Sequence, residues 1–325
     1  MAQNEIEYYT KTIKVNENIN EIRLDSFLAH YFNNKDSDHF TREEILFTRN
    51  RIQKFIEEGK ILVNEVPVKQ SYKLKAGDEI FIKIPLRFDR NLENFPQHIY
   101  FDILYYDKDI IVINKPDRLV IHPAYGHYNN TLINGLINVF PELVNKKGLS
   151  RYGLVHRIDK DTSGILIIAR NEMAQYNLVT QFKERKVKKK YIAIVYGKME
   201  NLEGVIHTRI GRNPLERKKM SVLLTDGKEA ITEYKVISYL KDATFVELSP
   251  HTGRTHQLRV HMSYIRHPIL GDIIYSRGKS KFHYLGLMLC AKEIKFFHPV
   301  TEEIMEFKVE IPERFKIILN RNSIL

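Results

Sequence analysis

Leu154-Val155-His156-Arg157-Ile158-Asp159-Lys160-Asp161-Thr162-Ser163-Gly164-Ile165-Leu166-Ile167-Ile168-Ala169-Arg170 sets two apolar, β-prone runs on either side of a polar turn. The runs at 154–158 and 165–169 predict a strand, a tight loop and a second, buried strand. A loop held between strands can aim a charged side chain repeatably, and Asp159 is the residue so placed. Taken alone, the turn is also ordinary turn chemistry. Asp and Ser side chains bond nearby backbone, and Gly164 permits positive φ.

Outward from this stretch the same signals recur. Ile110-Ile111-Val112-Ile113 reads as a buried strand broken at Asn114-Lys115-Pro116. Helices are predicted from Thr131 and over 173–182. Further strands are predicted at 191–195, 231–240 and 244–248, and a helix after Gly253. On that last helix Leu258, Met262 and Ile265 form the apolar stripe, with Arg259 beside it and free to face a cleft. Strands outnumber helices and mostly follow one another. The fold class is therefore α+β, a mixed, largely antiparallel central sheet with peripheral helices, rather than a doubly wound sheet.

The N-terminal part has a different order: helix, helix, then short strands. Residues 1–20 read as an extension with a short edge strand at 11–15. Leu24, Phe27, Leu28 and Tyr31 share one helical face, and Ile52, Phe55 and Ile56 another on a helix over 48–58 that stops at Gly59. Short strands follow at 61–64, around Val66 and Val68, and at 77–82. Residues 86–98 have little periodicity and read as a linker. The expected organisation is an extension at 1–20, a small α/β domain at 21–85, a linker at 86–98 and a larger domain at 99–325.

With 325 residues, 43% of them hydrophobic, the chain can bury a sizeable core, and its +11 charge and pI near 9.4 favour a polyanionic partner. Cys290 is the single cysteine, so one chain has no internal disulfide and no cysteine-built metal centre. Met1 to Tyr9 carries no hydrophobic signal core, and no apolar run approaches a membrane span. The expectation is a cytoplasmic protein without membrane partner.

His156-Arg157-Ile158-Asp159-x-x-Thr162-Ser163-Gly164 resembles the catalytic motif of the RluA-type pseudouridine synthases, with Ile158 for the family's Leu. Asn114-Lys115-Pro116 with His122-Pro123, Lys190-Tyr191-Ile192-Ala193 and the run from Thr252 to His261 agree in order. The likeness covers residues 102–312. It implies an enzyme that isomerises uridine in structured RNA, and favours large-subunit ribosomal RNA, with transfer RNA as the alternative. Asp159 would supply the catalytic carboxylate, Arg259 its ionic partner and Tyr191 the surface on which the flipped base stacks. His156, Arg157 and Thr162 would frame the loop and contact RNA. Lys188 and Lys190, within a basic run from Lys183, would track phosphates. The resemblance calls for no metal and no cofactor, and a monomer is expected. One departure is Cys290, where the family usually has His.

Residues 21–85 resemble the alpha-L RNA-binding motif through Arg49, Arg51, Lys54, Gly59, Val63, Asn64, Gly77 and Asp78. The RNA contacts it implies are Arg49, Arg51 and Lys54. Residues 32–47 are longer than the usual connection, and Glu65 stands where the hairpin usually has Gly.

Other chemistries fit less well. Asp159 and Asp161 could suggest a glycosidase pair, but two residues of one tight loop do not flank a sugar from opposite faces. His251, His256 and His261 could suggest zinc, yet a spacing of five does not align three imidazoles on a helix. A non-catalytic RNA-binding or ribosome-assembly protein is the main rival to an enzyme.

Overall fold

The computed structural model describes residues 8–17, 19, 21–33, 49–85, 96–122, 129–145, 149, 151–216, 219–276 and 282–320. The chain divides into two compact units, 1–91 and 92–325. Thr48, residues 34–47 and residues 86–95 lie outside the described set, as does the side chain of Arg51. Among the described residues no helix is long and apolar enough to cross a membrane.

The smaller unit contains β1 (Tyr8–Lys14), α1 (Leu24–Asn33), α2 (Arg49–Glu57), β2 (Ile61–Val63), β3 (Val66–Pro67) and β4 (Glu79–Pro85). Its strands pair antiparallel in the order β1-β4-β2-β3. Leu24 and Leu28 of α1 and Ile52, Phe55 and Ile56 of α2 are buried against Ile61, Ile80 and Ile82. Each apolar helix stripe is therefore covered by the sheet. Gly59 ends the α2 segment at φ +69°. Asn64 and Glu65 both take positive φ between β2 and β3, at 49° and 64°. That is the two-residue hairpin turn in which Asn-Gly is favoured, so Glu65 occupies a backbone conformation suited to glycine.

The larger unit carries β5 (Asp102–Tyr106), β6 (Ile110–Lys115), α3 (Leu132–Val139), α4 (Glu142–Asn145), β7 (Ser163–Ala169), α5 (Glu172–Lys183), β8 (Lys188–Tyr196) and β9 (Glu203–Arg212). After these come β10 (Met220–Leu223), β11 (Lys228–Tyr239), β12 (Ala243–Pro250), α6 (Gln257–Tyr264), β13 (Leu289–Phe297), β14 (Ile304–Lys308) and α7 (Glu313–Leu319). Ten strands form one sheet in the order β10-β9-β11-β12-β8-β13-β7-β6-β5, with β14 also on β13. All its pairings are antiparallel except β13 with β7, so the sheet is mixed and antiparallel-dominated. Strand β7 is buried along its whole length. Ile165 and Ile167 pack into the core with Leu178 of α5, while Leu166 and Ile168 pack on the opposite side with Leu136 of α3. Burial on both faces explains the unbroken apolar run in its sequence.

The parallel junction is short, Cys290 opposite Ser163 and Ala291 opposite Gly164. Gly164 is required there: its φ is +114°, and a Cβ would lie 2.2 Å from the Ala291 carbonyl oxygen. Beyond it β13 bulges near Lys292 and pairs with β14 instead. The freed edge of β7 is met by residues 154–156. This corrects the expectation of a strand at 154–158. Leu154 makes an isolated bridge to Ile168, and the Ile167 N–H donates to the imidazole Nε2 of His156 at 2.9 Å. A side chain supplies the acceptor that a neighbouring strand would have supplied, so the ladder ends and the chain turns toward Asp159.

Candidate active site

The loop that presents Asp159 is tied from behind. The Thr162 N–H donates to the Asp159 carbonyl at 3.1 Å, and Thr162 is buried. Lys115, at the end of β6 and wholly buried, donates to the carbonyls of Pro116 at 2.7 Å, Leu119 at 3.0 Å and Lys160 at 3.0 Å. Burial pushes its ammonium down to about 7, opposed by Asp117 and Asp161, but three carbonyl acceptors match the three N–H bonds of the protonated form. Arg314 of α7 donates to the Ser163 hydroxyl at 2.7 Å and the Leu289 carbonyl at 3.2 Å. Cys290 is buried beside Ser163, and burial raises its thiol.

Asp159 opens into a hollow of about 390 Å³ lined also by His156, Arg157, Thr162, Lys189, Tyr191 and Arg259. Strand β8 supplies Tyr191 and helix α6 supplies Arg259. The Arg259 Nη1 lies 3.4 Å from Asp159 Oδ2, longer than the roughly 2.8 Å of a tight charge-assisted bond. The fork itself is spent elsewhere: Nε and Nη2 hold Asp272 at 2.8 and 3.0 Å, and the ring of Tyr275 lies 5.2 Å away. The ionic contact expected between Arg259 and Asp159 therefore runs through Nη1 alone. Asp272 takes the two-pronged contact because it too is buried and accepts the Ile274 and Tyr275 N–H groups. Burial would weaken the charge on Arg259, but Asp272, then Asp159, outweigh it and keep the guanidinium ionised.

Two neutral rings complete the site. Burial, then the charge of Asp159, pushes the Tyr191 phenol well above its ordinary value. His156 stacks on Phe182 at 4.6 Å, and burial together with Lys189 lowers its imidazole to about 3. It is therefore neutral near pH 7, with Nε2 accepting from Ile167. The turn before α6 is fixed by Gln257. Its Nε2 donates to the Ile231 carbonyl at 3.0 Å and Thr232 at 2.9 Å, and its Oε1 accepts from Thr252 at 2.7 Å.

Of the residues singled out in sequence, Asp159, Tyr191, Arg259, His156, Arg157 and Thr162 share this hollow. Lys188 and Lys190 do not line it. Alternation along β8 puts Lys189 and Tyr191 on the hollow's side and Lys188 and Lys190 on the other, where Lys190 lies 3.6 Å from Glu247. In the smaller unit Arg49 is bound to Asp25 at 3.1 Å, and Lys54 lies 3.6 Å from Glu58. Asp161 is absent from the lining. His251 pairs with Glu233, His256 with the Tyr275 hydroxyl, and His261 lies between Thr208 and Thr232, so the three imidazoles serve different partners. Among the described residues the cluster with metal-ligand spacing is Asp107, Asp109 and His298, outside the hollow. The sequence reading has no signal for Asp272 beyond a Gly-Asp pair, and it holds Lys189 within the basic run without singling it out. Period-two alternation from Tyr191 would have found the lysine.

Residues 109–264 match the RNA pseudouridylate synthase family, and residues 42–80 match the S4 domain. The chain is 39% identical to a Bacillus subtilis protein named as an uncharacterized RNA pseudouridine synthase, YlyB, over 90% of this chain and 91% of that one. It is 38% identical to ribosomal large subunit pseudouridine synthase D of Neisseria meningitidis serogroup A, over 82% and 73% of the two chains. Among solved structures, human RNA pseudouridylate synthase domain containing 1 superposes with a TM-score of 0.56 at 30% identity, covering 66% of this chain and 84% of that one.

Proposed function

The chain belongs to the RNA pseudouridylate synthase family, and from that premise we propose that it isomerises specific uridines of large-subunit ribosomal RNA, each flipped into the hollow around Asp159. The observation that carries this reading is the convergence of Asp159, Tyr191 and Arg259, from three separate elements, on one cavity.

The reaction breaks the bond between ribose C1′ and uracil N1, turns the base, joins C5 to C1′, and releases the C5 proton. Folded RNA hides these atoms, so the nucleotide has to leave its stack first. Asp159 supplies a carboxylate whose role is that of nucleophile or base, and both roles need it ionised. Arg259 places a counter-charge 3.4 Å from Asp159, and Asp272 fixes where that charge sits. Tyr191, held as a neutral phenol, offers a ring for uracil to stack on, worth roughly 1 to 3 kcal/mol per base. Arg157 is exposed at the rim and suited to fill the space that the flipped nucleotide leaves. His156 is neutral near pH 7 and its Nε2 accepts the Ile167 N–H, so that atom carries no proton to give.

The test is tritium release from uracil-C5-labelled ribosomal RNA. Asp159→Asn is expected to abolish release while RNA affinity stays within a few-fold. Wild-type turnover in that variant would remove Asp159 from the mechanism. Mapping pseudouridines in cells with and without the gene identifies the substrate, and a change confined to transfer RNA would overturn the ribosomal assignment.

A further inference from the structure

Most cations around β8 have an acidic neighbour. Lys186 lies 2.8 Å from Glu184, Arg185 lies 3.0 Å from Glu229, Lys190 lies 3.6 Å from Glu247, and Arg259 is bound to Asp272. Lys183, Lys188 and Lys189 make no such pair among the described residues, and of these three only Lys189 is partly buried. Among the described residues no carboxylate reaches ion-pair distance of its ammonium, although the side chain is partly withdrawn from water and lines the hollow two residues from Tyr191. Its Nζ lies 5.9 Å from the centre of the Phe182 ring, which itself stacks on His156.

The one carboxylate in the lining is Asp159, and it already faces Arg259. Burial lowers the pKa of Lys189. Lys183, next to Phe182 at the end of α5, adds a second ammonium to the same lining. A charge in this position is compensated only when an anion arrives. A carbonyl of uracil would give it a hydrogen bond but no opposite charge. A phosphate gives both.

We propose that Lys189 seats a phosphate flanking the flipped uridine, so that it acts on RNA binding and registers the nucleotide against Tyr191. This rests on the reading of the hollow as the uridine site. The lysine is a binding residue and takes no part in bond breaking.

The test uses the full chain and a synthetic fragment of ribosomal RNA that the wild type converts. It compares wild type with Lys189→Met, Lys189→Arg and Lys190→Met. Lys189→Met should raise KM about tenfold or more, change single-turnover kcat by less than threefold, and reduce the slope of log affinity against log salt by about one. Lys189→Arg should recover most of the affinity. Lys190→Met, on the other face of the strand, should shift KM by less than threefold. A methylphosphonate placed in turn at the 5′ and the 3′ phosphate of the target should, at one of the two positions, weaken the wild type as much as Lys189→Met does and add nothing to that variant. An unchanged KM and salt slope in Lys189→Met would overturn the assignment. So would a methylphosphonate penalty that persists undiminished in it at both positions. Thermal melting of Lys189→Met within a few degrees of wild type excludes a folding defect, and rescue by arginine separates charge from packing. Absence of pseudouridine in every RNA offered to the wild type would instead overturn the proposed function, and this assignment with it.

Discussion

Asp25 in the smaller unit and Asp159 in the larger one are both aspartates beside arginine, and their surroundings are opposite. Asp25 is fully buried and saturated. Arg23 donates to both its oxygens at 3.0 Å, Arg49 adds bonds at 3.1 and 3.3 Å, and Gln53 adds one at 2.6 Å. Burial alone would raise its pKa, but these donors override it and hold the carboxyl well below the usual range. Asp159 keeps 18% of its side chain exposed and has one guanidinium contact at 3.4 Å. The saturated carboxylate ties α1 to α2. The under-coordinated one is left with capacity for a substrate, and that capacity, rather than the presence of an arginine, separates a chemical site from a structural ion pair.

The strongest way to break this contrast lies at Asp272, which belongs with Asp25 in kind. Asp272→Ala strands the guanidinium of Arg259, only 3% exposed, without its partner. Such a loss costs about 3–5 kcal/mol. Urea denaturation should show it, and tritium release should fail although Asp159 is untouched. Asp159→Ala should cost less than about 1 kcal/mol, because its one contact is long and partly solvated. Equal losses in the two variants would erase the distinction.

Acid sharpens the contrast next. His261 is buried between Thr208 and Thr232, and burial lowers it to about 4 from 6.5. The unfolded chain takes up the proton first, so stability is lost as pH falls from 6.5 toward 4, by about 3 kcal/mol for this group. His156 acts in the same direction. The Asp25 contribution is present above the unfolded pKa of 3.8 and is lost only as pH falls from there through its lowered folded value. The larger unit should therefore open first on acidification, read by hydrogen exchange of its β6 and β7 amides against those of β4. Loss of the β4 amides first would contradict the assignment.

The same asymmetry explains what the sequence disclosed. The apolar runs of β6 and β7 and the helix stripes were legible because burial imposes a local period. Asp159, Tyr191 and Arg259 were legible through linear motifs. The pairing of Arg259 with Asp272 was not, since it is set by where the chain returns after α6. Nor was the failed strand at 154–158: β propensity records that a segment is extended, not that its neighbouring edge ends and His156 takes over the hydrogen bond. Charge density marks the whole run from Lys183 to Lys190, and only strand alternation from Tyr191 picks Lys189 out of it.

The smallest effect lies at the hairpin of the smaller unit. Gly164 and Glu65 both sit at positive φ, at 114° and 64°. At Gly164 any side chain would strike Ala291, so glycine is obligatory. At Glu65 the residue is exposed and the strain is that of the backbone alone. Left-handed φ costs a non-glycine residue about 1–2 kcal/mol, whereas a glycine loosens the unfolded chain by about 0.4–1 kcal/mol. Glu65→Gly should therefore stabilise the smaller unit by about 0.5 kcal/mol, raising its midpoint by about 2–4 °C. It also removes a negative charge from a hairpin that resembles an RNA-binding motif, so RNA affinity should rise slightly and the salt slope should steepen or stay the same. A lowered midpoint would mean that the Glu65 side chain makes a stabilising contact outweighing its backbone strain, and the hairpin would then belong with Asp25 among the saturated parts of the molecule.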